Sequence, residues 1–122
     1  MTTSPTVFKA SVGGYMGPFY QVVLCDDGVR YQCCAVGDSV EEEVMLDVPA
    51  AAWTTLAKTL EQLDAWEWTE SYVLPALDGT SWQIELIWGE QTLQSSGSNA
   101  YPERWPTFCR AVEKLLGGRA FG

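Results

Sequence analysis

Apolar and polar positions alternate with period two over most of this chain and recur every three or four residues in two stretches, so strands and two amphipathic helices are expected. The run VFKASV, residues 7–12, predicts a short strand ended by Gly13 and Gly14, with a glycine-rich bend GGYMGP after it. FYQVVLC at 19–25 and VRYQCCAV at 29–36 are β-branched and aromatic runs flanking Asp-Asp-Gly, the signal of a hairpin. With Asp27 and Gly28 at the centre of that turn, Cys25 falls opposite Arg30 and Cys33 opposite Val22. VEEEVMLDV at 40–48 predicts a third paired strand, with Val44, Leu46 and Val48 on one face and Glu43, Met45 and Asp47 on the other; Glu42 breaks the alternation.

The period then changes. In PAAAWTTLAKTLEQL, residues 49–63, Trp53, Leu56, Leu60 and Leu63 recur at spacings of three, four and three, behind a proline suited to a first helical turn. AWEWTESYVL, 65–74, places Trp66 and Trp68 on one face if it is extended, before Pro75 and the turn LDGTS interrupt. SWQIELIW, 81–88, alternates cleanly, Trp82, Ile84, Leu86 and Trp88 against Ser81, Gln83 and Glu85; Gly89 and Glu90 turn it into QTLQSS. A second helix follows in PTFCRAVEKLLGG, where Phe108, Val112 and Leu115 form a stripe and Gly117 supplies the stop. The whole predicts one α+β domain over residues 1–122: an antiparallel sheet of about six or seven strands carrying two helices, with loose tails at 1–6 and 118–122.

Between the last strand and the last helix lies SSGSNAYPERWP, 95–106. Ser95 and Ser96 end the strand, Gly97 is expected at a positive φ, Asn99 bonds its own chain, and Tyr101 and Pro102, with Pro106, set the approach to the helix. The stretch reads as a structural joint rather than an anion-binding nest beside Arg104, since it lacks the lysine and spacing of a phosphate loop. DGTSWQIEL followed by LQSSGSNAYPERW and an amphipathic helix resembles a signature at the end of many small uncharacterised bacterial α+β proteins. That resemblance covers residues 78–116 and implies bacterial or phage origin and an α+β fold; it carries no assigned chemistry and identifies no enzyme.

Charge narrows the partner. The net charge is -9, but residues 1–100 alone carry -11 and the remainder +2. An acidic field repels phosphate backbones, so nucleic-acid binding is not expected, whereas a basic protein would be attracted. The chain has no histidine, which removes the commonest general base and any Ser-His or Cys-His pair, and its acidic pairs read as solvated faces; no enzyme is expected. The four cysteines, Cys25, Cys33, Cys34 and Cys109, show no C-x2-C spacing and read as free thiols without metal. No apolar run is long enough to span a membrane and the first residues do not read as an export signal, so a cytoplasmic location is expected, without cofactor.

Six tryptophans remain. Trp53, Trp82 and Trp88 lie on predicted core stripes, while Trp66, Trp68 and Trp105 sit at element edges beside Glu67, Glu70 and Glu103. The expected function is therefore a small acidic protein-binding module, a bacterial immunity or inhibitor protein neutralising a basic toxin or enzyme. Its contact face would combine Asp38, Glu41, Glu42, Glu43 and Asp47 with Trp66, Glu67, Trp68 and Glu70. Two alternatives stay open: a small-molecule binding domain with an aromatic-lined pocket between sheet and helices, and a self-assembling structural protein. A monomer or homodimer is the expected state.

Overall fold

The computed structural model describes residues 4–14, 18–34, 40–74 and 79–121, with the backbone alone for residues 40 and 41. Seven strands form one sheet in the order β4-β3-β2-β1-β6-β7-β5: β1 Val7–Gly14, β2 Phe19–Cys25, β3 Gly28–Cys34, β4 Val40–Leu46, β5 Ser71–Val73, β6 Thr80–Trp88 and β7 Gln91–Ser98. Every pairing is antiparallel except that of β5 with β7. The first four strands meander outward to one edge. The chain then returns through helix α1, Ala50–Gln62, and a 3-10 turn, Ala65–Glu67, to lay β5 at the other edge, and β6 and β7 fill the gap beside β1. Helix α2, Trp105–Leu115, closes the α+β architecture.

One sheet face is covered. Phe8, Ala10 and Val12 of β1 and Trp82, Ile84, Leu86 and Trp88 of β6 point at the helices, which answer with Trp53, Leu56 and Leu60 from α1 and Phe108, Val112 and Leu115 from α2. Trp53 meets Phe8 edge-on at 5.4 Å between ring centroids and Trp88 at 5.9 Å. The opposite face carries Lys9, Ser11, Gln21, Gln83 and Glu85, as the period-two alternation demands.

Four local expectations are corrected. The β2–β3 turn consists of Asp26 and Asp27, so Cys25 pairs with Gly28 and Cys33 with Tyr20, a two-residue shift that leaves each side chain on its face. Gly28 starts β3 at φ +140°, and a Cβ there would come within 2.5 Å of the Leu46 carbonyl oxygen, so the glycine is needed one step later than the turn centre. Second, β7 continues to Ser98 because β5 pairs along its far side, and the left-handed residue is Asn99, φ 60°, not Gly97. Third, the segment after α1 turns at Asp64, φ 52°, into the 3-10 turn, so Trp66 and Trp68 do not share an extended face. Fourth, the C-terminal tail is docked: Phe121 is fully buried, the Tyr31 hydroxyl donates to the Ala120 carbonyl at 2.7 Å, and the Phe121 amide donates to Glu113 Oε2 at 3.0 Å. At the other end Pro5 is buried and the Thr6 amide donates to the Ile87 carbonyl at 2.7 Å, which ties down the residues just before β1.

Candidate functional site

The residues of the expected contact face lie on opposite edges of the sheet. β4 carries Glu42 and Glu43, with Asp47 just past its end, whereas Trp66 to Glu70 leads into β5 and bonds to β7. Six strand spacings of about 4.8 Å separate β4 from β5, about 29 Å in all, so the two groups do not form one patch. Asp38 and the Glu41 side chain lie outside the described residues.

On the β4 edge, the regular register sets Glu42 opposite Cys33, on the helix-bearing face and just before the shift at Cys33/Cys34, and there it lies 3.4 Å from Arg119 Nε. That Arg119 contact is ionic without hydrogen-bond geometry, and the guanidinium also donates through Nη1 to the Leu116 carbonyl at 3.2 Å. The alternation broke at Glu42 because this carboxylate faces the docked tail. Glu43 is exposed and accepts a 3.1 Å hydrogen bond from Gln32 Nε2; Asp47 is exposed, and between them Met45 is 47% exposed. The register adds two carboxylates that sequence reasoning left out: Asp26 and Asp27 are exposed in a turn whose next residue, Gly28, abuts Leu46. Their position beside Asp47 follows once the acidic strand is paired with the second arm of the hairpin.

On the other edge the carboxylates and the tryptophans part company. Glu67 and Glu70 are exposed, but Trp66 and Trp68 are half-buried against the core. Trp68 meets Phe108 edge-on at 5.6 Å and Trp105 at 6.3 Å, and Trp105, expected at an edge, is buried at the centre of this cluster. The backbone here is stitched to β7: the buried Ser95 hydroxyl donates to the Thr69 carbonyl, and the Ser96 amide to the Glu70 carbonyl at 3.0 Å.

The joint after β7 has an internal explanation. Gly97 leaves room for the Trp82 indole, since a Cβ would come within 2.5 Å of its Nε1 and 2.7 Å of the Tyr72 carbonyl oxygen. The indole N–H donates to the Ala100 carbonyl at 2.8 Å. Asn99 ties three segments together: its Oδ1 accepts from the Thr80 amide at 3.1 Å, its Nδ2 donates to the Leu74 carbonyl at 3.3 Å, and the same carboxamide fills the space a side chain at Gly79 would take. Pro102 is buried, and Tyr101, 41% exposed, lies 5.7 Å from the Trp105 ring. Arg104, φ 63°, donates to the Gln62 carbonyl at 3.2 Å and so caps the end of α1.

The volume between sheet and helices, where an aromatic-lined pocket was the alternative, is filled by rings packed on one another. Depressions are found elsewhere on the described surface, one of about 270 Å³ between α1 and α2, floored by Leu56 and Leu115, and two on the open sheet face. Among the described residues, no cluster of three or more cysteines and carboxylates has metal-binding geometry, and no helix is long and apolar enough to cross a membrane. No known protein family matches the chain, and no curated protein is significantly similar to it.

Cys25, Cys33 and Cys34 are partly exposed and Cys109 is buried. Burial pushes the Cys109 thiol from 9.0 up to about 12, and burial followed by the neighbouring Cys33 and Glu42 pushes the Tyr31 hydroxyl from 10.0 up to about 12. Both groups hold their protons more tightly folded than unfolded, so the stability they contribute is complete below their ordinary values and is lost as pH rises toward about 12. Urea midpoints should therefore fall steadily above pH 9, less steeply in Cys109→Ala. Iodoacetamide applied to the native protein should spare Cys109. A flat midpoint over that interval, or prompt alkylation of Cys109, would contradict its burial.

Proposed function

We propose that this protein is a small acidic protein-binding module, of the immunity or inhibitor type, that occludes a basic toxin or enzyme through the β4 edge of its sheet. One observation carries the reading: an edge strand, Val40–Leu46, in which Glu42, Glu43 and Met45 are exposed, followed at once by exposed Asp47 and flanked by Asp26 and Asp27 of the neighbouring turn. Carboxylates along an edge raise the encounter rate with a cationic surface, the exposed methionine can adapt to an irregular apolar contact, and the free backbone of an edge strand can accept an added strand. The same carboxylates would also discourage edge-to-edge aggregation, which is the simpler use of such an edge.

Binding kinetics separate the two. A partner captured from the source cells should associate roughly tenfold or more slower with an Asp27→Lys, Glu43→Lys, Asp47→Lys variant, with a flatter salt dependence. Glu42 is left intact because it holds the tail. Glu67→Lys with Glu70→Lys, on the far edge, should change the rate little. Association insensitive to salt and to the β4 reversals would reduce the acidity to a solubility device.

A further inference from the structure

The open face of the sheet differs in chemistry from both acidic edges. Across it the register aligns Gln32, Gln21, Ser11, Gln83, Ser96 and Ser71 in one row, and Cys34, Phe19, Gly13, Ser81, Ser98 and Val73 in the next. No residue in either row is charged, in a chain with 23 charged side chains. Charge enters only at the sides: Lys9 and Glu85, 3.9 Å apart, line the smaller depression, Arg30 stands on the same face of β3 beyond Val23, and Glu43 holds Gln32 at the β4 end. Because serine and glycine are short, the two rows sink into adjoining depressions of about 200 and 440 Å³ that share Ser11 and Gln83. From β2 to β5 this trough spans four strand spacings, about 19 Å.

Two further features give the trough a ligand chemistry. The side chains of Ser11, Gln21, Ser81, Gln83, Ser96 and Ser98 have no hydrogen-bond partner among the described residues, whereas the polar side chains of the covered face and the joint, Ser95 and Asn99, are engaged. Each free hydroxyl or carboxamide can both donate and accept. At one end the ring of Phe19 leans over Gly13, where a Cβ would come within 2.6 Å of its Cδ2, yet the residue is 39% exposed. An aromatic surface held against the sheet beside neutral donor–acceptor groups matches a molecule that presents C–H faces and hydroxyl edges together.

We infer that this trough is a binding site for a neutral oligosaccharide, stacked on Phe19 and hydrogen-bonded along the Ser11–Gln83–Ser96 row. A nucleic acid or acidic peptide would meet one lysine already facing Glu85, with Arg30 outside the trough on β3, in a chain of net charge -9. A second sheet from another copy would bury serine hydroxyls too short to bridge a gap of about 10 Å, at the cost of desolvating them unpaired. A sugar brings its own hydroxyls to those groups and requires no charge. This site is separate from the β4 edge and stands or falls independently of the protein-binding reading.

Titration of the full chain with maltohexaose, cellohexaose and chitohexaose in turn, followed by amide chemical shifts and calorimetry, tests the inference. At least one should bind saturably, with shifts confined to β1, β2, β6, β7 and β5. Phe19→Ala should weaken that binding about tenfold or more, a loss of one aromatic stack. Gln83→Ala, an exposed position whose change should leave the unfolding midpoint in place, should weaken it several-fold and keeps the test decisive if Phe19→Ala folds poorly. The inference is overturned if none of the three binds at up to about 10 mM, a free-energy gain below about 2.7 kcal/mol. Binding unchanged by Gln83→Ala, or concentration-dependent self-association that Ser81→Arg abolishes, would overturn it equally.

Discussion

Trp82→Ala is expected to destabilise the protein by about 3 to 5 kcal/mol, the range for deleting a buried aromatic side chain. The indole is 2% exposed and lies 4.7 Å from the Trp105 ring and 5.7 Å from Tyr72, so it joins β6 to β5 and to the start of α2 at once. Its N–H also holds the Ala100 carbonyl of the joint. Trp82→Phe keeps much of the apolar area and strands that carbonyl, and should cost about 1 to 3 kcal/mol. Gly97→Ala should cost about 1 to 3 kcal/mol by forcing a methyl against the indole. The two sites are in contact, so Gly97→Ala should cost less in the Trp82→Ala background than alone, the remainder being the approach of the Tyr72 carbonyl oxygen, 2.7 Å from the added Cβ. Urea unfolding of the four proteins of this cycle gives the coupling directly. Additive effects would mean that the glycine answers to something other than the tryptophan.

That cycle also explains the C-terminal sequence pattern. Gly79, Trp82, Gly97 and Asn99 look like separate turn and strand residues until the β6–β7 register sets Trp82 beside Gly97 and the Thr80 amide within reach of Asn99. Composition suggested that Gly97 served a positive φ, since glycine among small polar residues commonly does; its actual reason, the closeness of an indole, depends on a partner 15 positions away. The two helices and the faces of β2, β3, β4 and β6 were legible because their periodicity is local. Strand order was not. Nothing local tells β6 to pair with β1, or β5 to lie parallel to β7 at the far edge, and that order is what separates Asp47 from Trp68. Edge tryptophans beside carboxylates looked like one recognition surface, but burial claimed Trp68 and Trp105 for the core and left Glu67 and Glu70 outside.

The tail is the sharpest test of the tertiary structure, because sequence pattern treats RAFG as an unpatterned end. Phe121→Ala is expected to cost about 3 to 5 kcal/mol, as much as a residue in the middle of a helix stripe. The ring is fully buried and meets Phe108 edge-on at 6.5 Å. Around it the tail reaches three elements: Ala120 accepts from Tyr31 of β3, Arg119 lies against Glu42 of β4, and the Phe121 amide reaches Glu113 of α2. Ending the chain after Gly118 removes all of these together and leaves the buried Tyr31 hydroxyl without its acceptor, so it should cost at least as much as Phe121→Ala. Truncation should also speed amide exchange in β4 and β3 more than in β6, since the former lose a clamp and the latter lies on the far side of β1 and β2. Arg119→Ala should reproduce only the change in β4, with a small loss of overall stability, because a half-exposed ion pair contributes little. If the truncated protein unfolds at the same urea concentration as the full chain and β4 exchanges no faster, then the tail does not brace the acidic edge and the rigidity of that edge must come from its pairing with β3 alone.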